Sequence, residues 1–281
     1  MNLLSRLAAS EQLIELYTNT KKEPTAVNRL KKLLRQPIKY LYQNAIKVGL
    51  GNADRPVRTF WGQNLLLPIS DENAVLIYYC GSLGFGESAF TRFLIENTSK
   101  NDVFYDIGAN YGYYSSLAST LGAEVHSFEP NPSVLPYTRK NVSYLNEIAL
   151  ADKSGVLAFS DISASKKSGM STLFPDILTE EHRRTQKIIT VPVTTLDEYI
   201  QYHHPPTIIK MDVENAECLV LEGGKKLFSL YAPVLAMEIY TSTNQVAQER
   251  TQKALSLLKG FGYSKDETEP KSDMYIFRKG K

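Results

Sequence analysis

Apolar and polar positions along the chain change texture near residue 59. Before it, Leu3, Leu7 and Ile14 recur at helical spacing, and Leu30, Leu33, Leu34, Ile38 and Leu41 repeat the pattern beyond Pro24. Pro37 is expected to kink or end that second helix. An N-terminal helical extension over residues 1–56 follows, its apolar stripes expected to dock on the main domain, with Gly51 to Arg58 as a linker. From Thr59 to Cys80 short apolar runs, Leu65–Leu67 and Val75–Tyr79, flank the polar Ser70-Asp71-Glu72-Asn73, which predicts a β-hairpin. A helix over Ser88–Thr98 leads into strand–helix alternation to the end of the chain. Strands are expected at Val103–Ile107, Val125–Phe128, Tyr144–Leu150, Thr207–Val213, Val234–Ile239 and Met274–Phe277, the last an antiparallel edge strand. The class is α/β, with residues 57–281 as one domain. Residues 152–190, poor in helical pattern, are expected to add strands and a mobile substrate-binding loop.

The densest chemistry lies in Asn101–Pro132, NDVFYDIGANYGYYSSLASTLGAEVHSFEPNP. A strand ends in the turn Asp106-x-Gly108-x-x-x-Gly112, a helix follows, and the next strand ends on Glu129. At Gly108 and Gly112 a side chain is expected to obstruct a ligand lying over the turn. Backbone N–H groups at the helix start face that ligand. Glu129 is placed to accept from both hydroxyls of a ribose. The middle glycine of the dinucleotide fingerprint is missing, and Asp106 stands where a pyrophosphate would be repelled, so an NAD-binding protein is the weaker alternative. A ligand carrying an ammonium and a sulfonium suits that carboxylate. Lys210 and Asp212 end a buried strand on the side where open α/β sheets bind ligands, and Glu238 interrupts an apolar run. Glu87 either caps its own helix or reaches into the cleft beside Asp106.

Composition narrows the setting. Cys80 and Cys218 are too few and too far apart for a disulfide framework or thiolate metal site, and with no spanning apolar run or signal pattern a cytoplasmic protein is expected. His203-His204 lacks a second ligand set. Net charge is +2, yet residues 1–60 hold eleven Lys/Arg against four Asp/Glu. That basic part either faces something anionic, a membrane surface in peripheral contact or an acidic glycan carrier, or is the solvated face of helices. The acidic remainder, without an aromatic-basic stripe, gives no support to nucleic acid as partner.

Four ordered segments, DIGANYGYYS at 106–115, FEPNP at 128–132, LNEIALADKSG at 145–155 and IKMDVENAE at 209–217, resemble the motifs of the FkbM family of methyltransferases. The resemblance implies a Rossmann-like class I methyltransferase fold with a mostly parallel seven-stranded sheet, S-adenosylmethionine as cofactor, and a hydroxyl of a sugar, glycan or polyketide-type molecule as acceptor. By position it implies that Asp106, Gly108, Asn110 and Gly112 surround the methionine part. It gives Glu129 the ribose with Asn131 nearby, and Asn146 and Ala149 the border of the adenine; Glu87, Tyr111 and Pro130 complete the cofactor set. Asp212, with Glu214 and Glu217, falls where the family keeps acids beside the transferred methyl. Asn215 replaces a common glycine, which is expected to narrow the space beside the substrate. In-line displacement then gives Asp212 the role of base, with Glu238 second and Lys210 neutralising the acids or orienting the substrate. No resident metal is assigned; a metal-assisted variant would use Asp212, Glu214 and Glu238 on Mg²⁺. The loop 160–190, with Ser168, Met170, Ser171 and His182-Arg183-Arg184, is expected to line the acceptor site. A non-catalytic binding protein on the same fold is the other alternative.

Overall fold

The computed structural model describes residues 2–19, 30–31, 33–239, 244–267 and 274–280. Its strands are β1 (Asp54–Arg58), β2 (Asn64–Pro68), β3 (Val103–Ile107), β4 (Glu124–Phe128), β5 (Leu145–Asn146), β6 (Ala149–Leu150), β7 (Gly155–Asp161), β8 (Lys187–Thr194), β9 (Ile208–Met211), β10 (Val234–Glu238), β11 (Tyr263–Lys265) and β12 (Met274–Lys279). The main sheet has the order β11-β12-β10-β9-β3-β4-β5. β3 pairs in parallel with β4 and β9, and β10 continues that direction, whereas β12 runs antiparallel to both its neighbours. The expected antiparallel strand is therefore present but lies one place in from the edge, which β11 occupies. Order reverses between β3 and β9, so a crevice opens at the carboxyl ends of these two strands, where loops leave to opposite sides.

The apolar runs of β3 and β9 are buried on both faces, as parallel strands covered by helices must be. One core lies on the side of the helices Glu72–Cys80, Phe85–Asn97 and Tyr113–Leu121; the other packs Ile107, Ile209 and Met211 against Leu221, Phe228 and Leu258.

Several expectations are corrected. Val75–Tyr79 is not a strand but part of the helix Glu72–Cys80, capped by the Asp71 carboxylate on the Asn73 N–H and closed by Gly81 in a left-handed conformation. The hairpin partner of β2 is instead β1, inside the supposed linker. Tyr144–Leu150 divides into β5 on the main sheet and β6 in a separate three-stranded sheet with β8 and β7. Helix Leu3–Asn19 docks as expected, burying Leu7 and Ile14 completely. The second stripe does not: Leu30, Leu34, Ile38 and Leu41 are exposed. No helix among the described residues is long and apolar enough to cross a membrane.

Candidate active site

A cavity of about 470 Å³ opens at the carboxyl ends of β3, β4, β9 and β10. Of the sequence-derived residues, Glu87, Gly108, Asn110, Tyr111, Glu129, Pro130, Ala149, Lys210, Asp212, Glu214 and Glu238 line it. Asp106, Gly112, Asn131, Asn146 and Glu217 do not.

The β3 turn is built by close approach. Gly108 has φ +80°, and a Cβ there would lie 1.9 Å from the Asp212 carbonyl oxygen; at Gly112, φ +81°, it would lie 2.4 Å from Val142 Cγ1. Both glycines thus make room for protein atoms, a requirement that holds whatever ligand the turn faces. Asn110 takes φ +47°, a conformation asparagine tolerates.

Glu129 ties this turn to β4. Its Oε2 accepts from the Asn110 N–H and its Oε1 from the Asn131 N–H, each at 2.8 Å. Each carboxylate oxygen keeps a further acceptor position. Burial pushes the Glu129 carboxyl up to about 7, against the pull of those two N–H groups.

Asp106 sits behind the cavity wall. Its Oδ2 accepts from the N–H and hydroxyl of Ser115, at 3.0 and 2.6 Å, supplying the cap that Gly112 cannot give the helix Tyr113–Leu121. Strand register places Asp106 opposite Lys210. The buried Lys210 ammonium lies 3.6 Å from Asp106 Oδ1 and 3.2 Å from Asp212 Oδ2, and donates to the Gly108 carbonyl at 2.7 Å. Burial alone would lower its pKa, but the carboxylates of Asp212, Asp106 and Glu87 outweigh it and hold the pKa above the ordinary lysine value. Lys210 is a charged member of the cavity floor already matched by protein carboxylates.

Beyond β9 the chain turns through two left-handed residues, Glu214 (φ +52°) and Asn215 (φ +71°). The turn brings carboxylate oxygens of Asp212, Glu214 and Glu238 within 4.8 Å of one another. Crowded acids cannot all ionise. Burial, then the charges of Asp212 and Glu214, push the Glu238 carboxyl up to about 11; burial, then Asp212 and Glu217, push Glu214 well above the usual range. At neutral pH this environment favours the protonated form of Glu238. Glu217 stands apart from this group: its Oε1 accepts from the Val213 N–H, and burial raises it to about 7.

Asn215 does not narrow the cavity. Its side chain turns away, donating to the Ala247 carbonyl at 3.1 Å and accepting from Arg250. Asn131, whose N–H meets Glu129, anchors the loop through its side chain, the amide donating to Asp161, Ser163 and Ser171 at 3.1–3.2 Å. That loop lines the cavity with Lys167 to Ser171 and Leu173, while His182 is buried elsewhere and Arg183 and Arg184 are exposed. Glu87 reaches the cavity and accepts from the Tyr114 hydroxyl, resolving its two readings toward the cleft. Lining residues that sequence reasoning missed include Asn73, Tyr114 and Phe159, while Lys167 falls in the loop 160–190 without having been singled out. Tyr114 lay inside a motif already noticed; Asn73 and Phe159 come from distant segments and carry no local signal. His203 and His204 lie away from the cavity, His203 stacked on Tyr199 and His204 against Glu124.

Over 143 residues, 49% of this chain, the sequence is 29% identical to the hexuronic acid methyltransferase AglP of Haloferax volcanii, and the match spans 56% of that relative's length. Among solved structures, methyltransferase FkbM from Methylobacillus flagellatus is similar with a TM-score of 0.41 and 15% identity, covering 74% of this chain and 55% of that one. M. jannaschii TYW2 in complex with AdoMet is similar with a TM-score of 0.41 and 10% identity, covering 81% and 84%. The sequence profile of the methyltransferase FkbM domain matches residues 106–265, more than half of the chain, from the β3 turn through β11. The chain belongs to the FkbM methyltransferase family.

Proposed function

We propose that the protein is an S-adenosylmethionine-dependent O-methyltransferase whose acceptor is a hydroxyl of a sugar or glycan. The observation that carries this reading is the acid-rich lining of the cavity: Glu72, Glu87, Glu129 and Asp212 face Lys167 and Lys210, and Glu214 and Glu238, whose carboxyls burial and crowding push toward the protonated form, add polar groups rather than charge. An acidic chamber suits a ligand bearing a sulfonium and an ammonium and disfavours the pyrophosphate of a dinucleotide. Glu129, with one acceptor position left on each oxygen, fits a ribose, and Phe128, Ile148, Ala149, Leu150 and Phe159 offer apolar lining for a base. We assign residues 57–281 to the catalytic domain.

S-adenosylmethionine supplies a methyl group already activated for displacement. The chain's own contribution is to hold an acceptor hydroxyl in line and to take its proton. Asp212 ends β9 at the cavity and, with 30% of its side chain exposed, has room to receive that proton. Lys210, fixed by the Gly108 carbonyl, orients the Asp212 carboxylate. A positioned base of this kind contributes about 10²- to 10⁴-fold. Lys167 on the covering loop offers an ammonium to an acidic sugar, which connects with the relative named for a hexuronic acid.

The test is transfer of labelled methyl from S-adenosylmethionine to glycans containing uronic acid or neutral sugars. Methyl esters are removed by mild base and methyl ethers are not. Base-stable label, lost about 10²-fold or more in Asp212→Asn, supports the proposal; label that is base-labile, or transfer to protein or nucleic acid instead, refutes the acceptor assignment.

A further inference from the structure

The second N-terminal helix, Pro37–Lys47, has no buried residue. One side of it is fixed to the body of the protein. The Lys39 ammonium donates to the Tyr78 carbonyl at 2.7 Å, the Gln36 amide donates to the Tyr79 carbonyl, and the Tyr79 hydroxyl donates to Gln43. Tyr42 and Ile46 pack on the core, and the Arg55 guanidinium stacks 4.2 Å above the Tyr42 ring. These contacts settle which side of the helix looks outward. Within the helix Ile38 is 82% and Leu41 60% exposed; Leu34 before it and Val48 after it are each 72% exposed, and Leu30 and Leu50 are exposed further out. Isolated exposed leucines need no explanation, but this many large apolar side chains exposed along one short segment mark an interaction surface.

Charge identifies the partner. Residues 29–50 contain six Lys/Arg and no Asp or Glu. Arg35 and Lys47 are exposed on the same segment. A second copy of this chain across a two-fold axis would set one cationic surface against another, because such an interface joins like to like. An apolar stripe flanked by cations matches instead the boundary between acyl chains and anionic headgroups. At eleven residues the helix is too short to span a bilayer, so it lies in the plane of the interface.

We propose that residues 30–50 bind the surface of an anionic lipid bilayer, with Leu34, Ile38, Leu41 and Val48 inserted among the lipids and Arg35 and Lys47 on the headgroups. The contacts of Gln36, Lys39 and Gln43 hold the domain against this anchor. The inference stands independently of the methyl acceptor.

The test is co-sedimentation of the full chain with vesicles of phosphatidylcholine mixed with phosphatidylglycerol, and with vesicles of phosphatidylcholine alone. Expected is binding to the mixed vesicles that weakens as salt rises and is lost in Leu34→Glu/Ile38→Glu. Replacing Arg35 or Lys47 by Gln is expected to weaken binding by about fivefold each. Far-ultraviolet circular dichroism and S-adenosylmethionine binding report that the variants stay folded, as substitutions at exposed positions should. Three outcomes would overturn the proposal: no binding, equal binding to both vesicle types, or binding unchanged in the double variant. A dimer in light scattering that the double variant dissociates would also overturn it, in favour of a second copy as occupant.

Discussion

Replacing Lys210 by methionine tests how the floor of the cavity is held together. The side chain volume is nearly kept, so the change removes a charge rather than creating a void. Asp212 can hydrate when its partner is lost, because 30% of its side chain is exposed; Asp106, at 1%, cannot. The cost therefore falls on Asp106, whose Oδ1 accepts no hydrogen bond among the described residues and has the ammonium at 3.6 Å. Coulomb attraction at that distance is about 5 kcal/mol at an effective dielectric of ~20, and removing one partner of a buried pair costs about 3–5 kcal/mol. Lys210→Met is expected to lose that amount, on the order of 10 °C in Tm.

The pH dependence has a definite sign. Lys210 has a folded-state pKa above its ordinary 10.5, so its stabilisation is complete below that pH and is lost only as pH rises through the higher folded value. The wild-type term is flat from acid to mildly alkaline conditions. In the variant the deficit is expected to be smallest in acid, where protonation removes the uncompensated buried charge, and to grow as pH rises. Urea unfolding of both proteins across that range measures the difference. Asp106→Asn in the variant background is expected to restore part of the stability. A loss below about 1 kcal/mol, a deficit that grows toward acid, or no recovery with Asp106→Asn would refute the reasoning.

Three further expectations concern the turn, the ribose carboxylate and the acid cluster. Gly108→Ala, which drives a Cβ onto backbone and keeps a positive φ, is expected to cost roughly 3 kcal/mol or more, and Gly112→Ala, which also keeps a positive φ but meets the Val142 side chain rather than backbone, should cost less, about 2–3 kcal/mol; thermal unfolding compares them. Because Glu129 is raised to about 7 and its ionised form is the better acceptor for ribose hydroxyls, S-adenosylmethionine affinity should fall by up to about tenfold per unit as pH drops below that value, read by calorimetry in a series of buffers. Glu238→Gln, replacing a carboxyl that already carries its proton at neutral pH, should change stability there by less than about 1 kcal/mol and leave most of the methyl-transfer rate, in contrast to Asp212→Asn.

What the sequence disclosed was mostly local. The β3 turn and the Glu129 strand end were legible because spacing and residue type suffice for a strand–turn–helix unit, and the family motifs placed Asp212 at the cavity. The Val75–Tyr79 run was misread because a short apolar stretch fits a strand or a buried helix equally well; the cap Asp71 and the terminator Gly81 held the decisive signal. Residue type also could not say which neighbour a side chain meets. Asn131 and Asn215 were placed near ligands, yet each is drawn off by polar groups far along the chain, Ser163 and Ser171 in one case and Ala247 and Arg250 in the other. Gly108 was correctly singled out, but the atom it admits belongs to Asp212, about a hundred residues on. The proton on Glu238 depends on Asp212 and Glu214 converging from another strand end, which no single segment reveals. Helical periodicity identified the stripe at Leu34 and Ile38 without saying that nothing in the described residues covers it.

The central claim is that the acidic cavity at the ends of β3, β4, β9 and β10 takes S-adenosylmethionine with its ribose on Glu129. Isothermal titration with S-adenosylmethionine, S-adenosylhomocysteine and NAD, on the wild type and on Glu129→Ala, tests it most directly. Binding of the first two and not of NAD, weakened at least about 10²-fold in the variant as expected for the loss of two charge-assisted hydrogen bonds, is the predicted result. Binding of NAD alone, or S-adenosylmethionine affinity unchanged in Glu129→Ala, would contradict it.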